Sequence, residues 1–166
     1  IDAKPVIATP RDTESPEEAH YRVIVDQTHP HFTENQPVVI VCKSVAVSEQ
    51  LATYFRDYFQ QQGLDNHRIQ LYNGNQGDTT EAREAEVVQR AAEAGSITIT
   101  TPLLDRGTDF KTEHHKGLCV VDTFVSNERE HGQIIGRAGR QGQAGCSLWV
   151  ISERTFSGHR VPTPKS

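Results

Sequence analysis

Short, continuously apolar runs alternate along this chain with segments whose apolar residues recur every three or four positions. No other feature constrains the fold as much. Pro37-Val38-Val39-Ile40-Val41-Cys42 is apolar throughout, the pattern of a strand buried on both faces. In the segment that follows, Leu51, Tyr54, Phe55, Tyr58 and Phe59 recur at i, i+3, i+4, i+7 and i+8. That spacing predicts an amphipathic helix, capped by Ser44 and stopped by Gly63. A short strand is expected at 68–72. Asp78 and Glu81 then stand at capping-box spacing, opening a helix that runs to Ala94 with Gly95 at its end. Further strands are expected at 97–100, 118–121 and 148–151, with a helix from about Asn127 to Ala138 between the last two. Ahead of all these lie a strand at Pro5–Ala8 and a helix capped by Ser15, with Pro16 in its first position. His29 and His31 flank Pro30, which reads as a loop.

The repeated strand–helix order predicts an α/β fold, a mostly parallel sheet with helices on both faces. The 166 residues suit one domain, spanning 1–156, with a flexible tail at 157–166. Ligands bind such sheets at the carboxyl ends of the strands. Chemistry is therefore expected in the loops that begin at Lys43, Asn73, Thr101, Asp122 and Ser152.

Composition narrows the classes of function. The net charge of −5 argues against a domain that wraps nucleic acid by itself, because such binding rests on neutralising phosphates. Cys42, Cys119 and Cys146 are odd in number, far apart and set in or beside apolar runs. They read as buried thiols in a reducing, cytoplasmic setting, with neither zinc nor a disulfide framework expected. His114-His115 reads as part of a polar loop rather than a metal site. No apolar stretch reaches the roughly 20 residues needed to span a bilayer, and no signal peptide is visible. The chain contains no Met, and it reads as a piece of a longer protein.

Two stretches carry chemistry. Gln133-Ile134-Ile135-Gly136-Arg137-Ala138-Gly139-Arg140-Gln141-Gly142 places two Arg three positions apart, which on a helical turn project to one side. Each guanidinium is a planar fork of donors suited to phosphate oxygens. The interleaved glycines keep neighbouring side chains small, so that another surface can approach. The competing reading is a solvated Arg pair at a helix end, favourable to its dipole. The second stretch, Thr100 to Phe110, places Asp105, Arg106, Gly107, Thr108 and Asp109 directly after a buried strand, as a ligand loop would. Its competing reading is an ordinary connecting turn with a surface Asp105–Arg106 pair.

Taken together, these stretches resemble the second nucleotide-binding domain of the SecA protein translocase family, a RecA-like half of a superfamily 2 motor. Asp105-Arg106-Gly107-Thr108-Asp109-Phe110 is similar to that family's motif V, and Gln133 to Gly142 to its motif VI. Pro37 to Val45 resembles motif IV, and Glu81 to Val88 resembles a Glu-Arg-Glu-Ala-Glu-Ile-Ile helix of the family. With Lys4-Pro5-Val6-Ile7, the resemblance covers nearly the whole chain. It implies Arg140 as an arginine finger, Arg137 as its companion at the γ-phosphate, and Gln133 as a residue placing the nucleotide or the attacking water. It also implies that Gly107 and Asp109 line the ribose and phosphate side of a cleft. Arg106 would couple that loop to the substrate side, and Gly136 would allow close approach to the nucleotide.

The sequence also departs from that pattern. Asp105 stands where the family has Gly, and Ile135 where it has a basic residue. Gln143-Ala144 replaces an acidic-Pro pair, and Asn73-Gly74-Asn75 lacks the family's Lys. No Gly precedes Gly63 and no Gly-Lys pair occurs, so the phosphate-cradling G-x-x-x-x-G-K-[ST] loop is missing. Leu118 to Asp122 resembles a strand ending in a Mg²⁺-binding Asp, but Thr123 follows where Glu is needed, and the strand reads as structural. ATP with Mg²⁺ is therefore expected to be shared with the N-terminal RecA-like domain of the same longer protein. The Mg²⁺ ligands, the phosphate Lys and the water-activating carboxylate would come from that partner, and this chain alone is expected to be inactive. The substrate implied is unfolded polypeptide, with peripheral membrane contact through the rest of the protein. Two other readings stay open. One is a nucleic-acid helicase domain with strand contacts near Lys43-Ser44 and residues 73–79. The other is a scaffold that has lost turnover, supported by Asp105 and Ile135.

Overall fold

A computed structural model describes residues 5–75, 80–105, 111–124 and 145–153. Its strands are β1 (Val6–Ala8), β2 (Val38–Val41), β3 (Ile69–Tyr72), β4 (Ile97–Thr100), β5 (Leu118–Asp122) and β6 (Gly145–Ser152). The helices are α1 (Pro16–Phe32), α2 (Val45–Gln62) and α3 (Glu81–Ala91). One sheet joins the strands in the order β1-β6-β5-β2-β4-β3, and every pairing is parallel. The expected α/β fold is the observed one.

Successive side chains of a strand point to opposite faces, and here both faces are covered. Val38, Ile40, Ile97, Ile99, Cys119, Val121 and Val150 meet α1 and α2 through Ile24, Phe32, Leu51, Phe55 and Phe59. Val39, Val41, Leu118 and Val120 pack the opposite face with Ala91 of α3 and Phe124. Each large apolar side chain taken wholly from water contributes about 1.5–3 kcal/mol, so the fully buried Leu51, Phe55 and Phe59 anchor α2 firmly. Gly63 ends that helix at φ 71°, a left-handed conformation that costs glycine little.

Three expectations need correction. Pro30 does not break the chain into a loop, and α1 runs through it to Phe32. Phe32 is buried, its ring 5.3 Å from that of Phe59. Thr33 Oγ1 also donates to the carbonyl of His29 at 2.9 Å, closing the last turn. That packing outweighs the roughly 3 kcal/mol that an internal proline costs a helix. The cap of α3 is Thr80, whose hydroxyl accepts from Arg83 N at 3.2 Å, and the helix ends at Ala91 rather than Ala94. Asp78 lies outside the described residues. Finally, the three cysteines do not stay apart: Cys119 and Cys146 occupy equivalent positions on neighbouring strands and are joined as a disulfide. Their 27-residue separation is the length of one strand-to-strand crossover, which returns the chain to the adjacent strand at equal height.

Candidate nucleotide-facing edge

All strands being parallel, their carboxyl ends share one edge, and the loops expected to carry chemistry leave from it. The roots of those loops are held tightly. Beyond the ends of the strands, Cys42 N donates to the carbonyl of Thr100 at 2.7 Å, and Thr123 donates to the carbonyl of Val41 from its N and, at 2.8 Å, from its hydroxyl. The exits of β4, β2 and β5 are thereby tied side by side, with β2 in the middle. Thr100 donates its hydroxyl to the carbonyl of Tyr72 at 2.6 Å, which ties in β3. Such fixed roots are what a loop needs if it is to present a side chain to a ligand with little loss of entropy.

Asp122 closes β5 between Val41 and Trp149 and is 1% exposed. The indole of Trp149 donates to the carbonyl of Phe124 at 3.3 Å, fixing the path away from β5. Ser44 spends its hydroxyl on capping α2, accepting from Val47 N, while Lys43 beside it is exposed.

A brace at the end of β3 was not foreseen from the sequence. Asn73 donates to Ser48 Oγ at 2.8 Å, and Asn75 donates to Glu49 Oε2 at 2.8 Å. Asn75 N donates to Asn73 Oδ1 at 2.9 Å, an Asx turn of the kind Asn favours. The signal was present as Asn73-Gly74-Asn75, but its partners lie 24 to 26 positions away on α2.

The candidate site residues themselves, Arg106, Gly107 and Asp109 together with Gln133, Gly136, Arg137 and Arg140, lie outside the described residues, as does Ile135. Described instead are the points from which the chain enters those stretches. Residues 106–110 follow the 3-10 turn Pro102–Asp105 after β4, and residues 125–144 follow Phe124 after β5.

At the opposite, amino-terminal edge lies a cluster that spacing could not reveal. His31, Cys119 and Cys146 bring a nitrogen and two sulfurs within 4.8 Å of one another, the one such group among the described residues with metal-ligand chemistry. His114 and His115 stack at 4.6 Å, and His114 Nε2 lies 3.1 Å from the carbonyl of Glu34. No helix among the described residues is long and apolar enough to cross a membrane.

The parallel sheet with helices on both faces is a RecA-like α/β fold. It is similar to domain 2 of the Mss116p DEAD-box helicase, solved bound to an RNA duplex, with a TM-score of 0.60 at 21% identity over 83% of this chain and 50% of that one. Residues 13–116 match the family model described as the SecA P-loop domain, and the chain belongs to that family. It is 31% identical over 151 residues to the protein translocase subunit SecA of Thermotoga neapolitana, covering 85% of this chain and 16% of that protein. It is likewise 31% identical over 143 residues to SecA 2 of Corynebacterium glutamicum, covering 79% of this chain and 17% of that protein. The chain thus spans about a sixth of the length of these relatives.

Proposed function

We propose that this chain is the second RecA-like half of a SecA-type motor, completing an ATP site whose other half lies in an N-terminal RecA-like domain of the same longer protein. The observation that carries the reading is the parallel edge itself. The exits of β4 and β5 are pinned on either side of β2, and from them the chain enters the two stretches that resemble motifs V and VI. Two guanidiniums three positions apart have the donor chemistry that phosphate oxygens require. The hydroxyls of Thr100 and Thr123 donate to backbone carbonyls of the sheet, and no phosphate-cradling loop is encoded. The residues present therefore fit the triphosphate from one side only.

Bound there, ATP would supply the phosphoryl group whose transfer drives the motor. Arg140 would hold a fixed positive charge against the oxygens on which negative charge builds, a contribution of roughly 10³–10⁵ in rate. Arg137 would hold the same oxygens from the next turn, and Gln133 would orient the attacking water. Gly107 and Asp109 would line the ribose and phosphate side, Arg106 would couple that loop to the substrate, and Gly136 would let the nucleotide approach closely. Asp105 adds negative charge beside this site, and Ile135 leaves the Arg pair without a third cation. Both weaken the site, but the Arg pair itself is kept, which favours a site that turns over slowly over one that is lost.

The relatives' name as translocase subunits supports polypeptide as the substrate. The net charge of −5 speaks against a nucleic-acid track. The test is the ATPase rate of the full-length protein with unfolded polypeptide, RNA or single-stranded DNA added. Stimulation by polypeptide alone is expected, and stimulation by RNA would overturn the assignment.

A further inference from the structure

Cys119 and Cys146 differ in access although they share one bond. Cys119 is fully buried in the core beneath α1 and α2, whereas Cys146 is half-buried and follows the exposed Gly145. The Cys146 sulfur faces a polar corner made by His31 and Gln36. His31 Nδ1 lies 3.8 Å from that sulfur and 2.8 Å from Gln36 Oε1. Gln36 Nε2 donates to the carbonyls of Lys116 and Gly117 at 3.2 and 3.3 Å, which fixes the amide with Oε1 toward His31. An oxygen there can only accept, so His31 must carry its proton on Nδ1. That one N–H is spent on Gln36 Oε1, and both Nε2 hydrogens of Gln36 on the two carbonyls, so it is access that sets Cys146 apart from Cys119.

We propose that Cys119 and Cys146 form a reversible thiol–disulfide modification site, in which Cys146 is the sulfur that exchanges with a low-molecular-weight disulfide or thiol of the glutathione type. In the oxidising direction the Cys146 thiolate attacks the small disulfide, forming a mixed disulfide and releasing one small thiolate. The Cys119 sulfur then attacks the Cys146 sulfur, and the second small thiolate leaves. The two protons of the protein thiols end on the two small thiols, and two electrons pass from the cysteines to the reagent. Reduction runs these steps backward, beginning at the accessible sulfur. The bond closes a loop that contains every residue from 120 to 145, and so the whole stretch from Gln133 to Gly142. This chemistry stands independently of the ATPase reading.

The test equilibrates the full-length protein in glutathione buffers from fully reduced to fully oxidised, quenches it with acid, and alkylates it for peptide mass spectrometry. The pair is expected to pass from dithiol to disulfide within that range. Cys42 is the internal control, a fully buried thiol pushed up to about 12 by burial and therefore unreactive. In the reduced protein Cys146 should alkylate at least about tenfold faster than Cys119. A disulfide that persists in every buffer, or one that never forms, would overturn the proposal. So would uptake of one Zn²⁺ per chain that shields both thiols until a chelator is added.

Discussion

Arg68 joins three parts of the amino-terminal edge through one side chain. Its Nε donates to the carbonyl of Gly95 at 2.7 Å and its Nη2 to the carbonyl of Phe32 at 2.6 Å. The guanidinium also lies 6.0 and 5.8 Å from the ring centres of Phe32 and Phe59. Arg68→Ala strips two carbonyls of a charged donor and should cost about 2–4 kcal/mol, measured by urea unfolding. Gly95 sits at φ +81°, and a Cβ there would lie 3.3 Å from the Arg68 guanidinium and from Asn35 Oδ1. Gly95→Ala should therefore cost about 1–2 kcal/mol despite its small size. A neutral result at either position would show that this junction does not bear on stability.

His20 sets the acid response at the same scale. It lies on the buried face of α1 with Nε2 2.9 Å from the carbonyl of Val150 in β6, and burial holds its pKa below the ordinary 6.5. As pH falls through about 6.5 the unfolded imidazole takes a proton before the folded one does. Stability is then lost toward the depressed folded value and is fully present above 6.5. Glu14 adds a second loss at lower pH. Hydrogen bonds from the Arg22 side chain and the Arg11 backbone lower it from 4.5 to about 2, so its contribution holds above 4.5 and fades as pH drops toward 2. Urea unfolding at pH 7.5 and 5.5 should show a loss in the parent chain and almost none in His20→Gln. Equal losses in both would contradict the role of His20.

Among the elements, what was legible in the sequence is what local chemistry decides. Ser15 and Glu18 form the capping box that opens α1, with Pro16 in the first turn, because cap and partner are three positions apart. The run from Val38 to Val41 became the central strand because no other arrangement hides four consecutive apolar residues. What long-range contact decides was not legible. Pro30 stays helical because Phe32 packs on Phe59, a residue of another helix. Cys119 meets Cys146 because the sheet places β5 beside β6. The Asn73 brace depends on α2 lying against β3. Pro30 also marks a place where the helix is less stable than it could be. Pro30→Ala restores an N–H for the carbonyl of Asp26, and after the gain in unfolded-chain entropy it should stabilise by about 1–2 kcal/mol in urea unfolding. Destabilisation instead would mean that the proline ring itself contributes packing.

For the whole molecule, the family follows from the matched domain, and the RecA-like fold from the parallel sheet. The candidate site is an expectation from sequence, two contiguous stretches at Asp105 to Phe110 and Gln133 to Gly142, of which 106–110 and 133–142 lie outside the described residues. The structure contributes the frame, three strand exits tied together at one edge. The proposed division of labour, a half-site here and the phosphate loop elsewhere, turns on Arg140. In single-turnover hydrolysis by the full-length protein, Arg140→Ala should lower the rate by roughly 10³–10⁵ while ATP affinity changes only a few-fold. Unchanged hydrolysis in that variant would contradict the assignment and, with it, the motor half proposed for this chain.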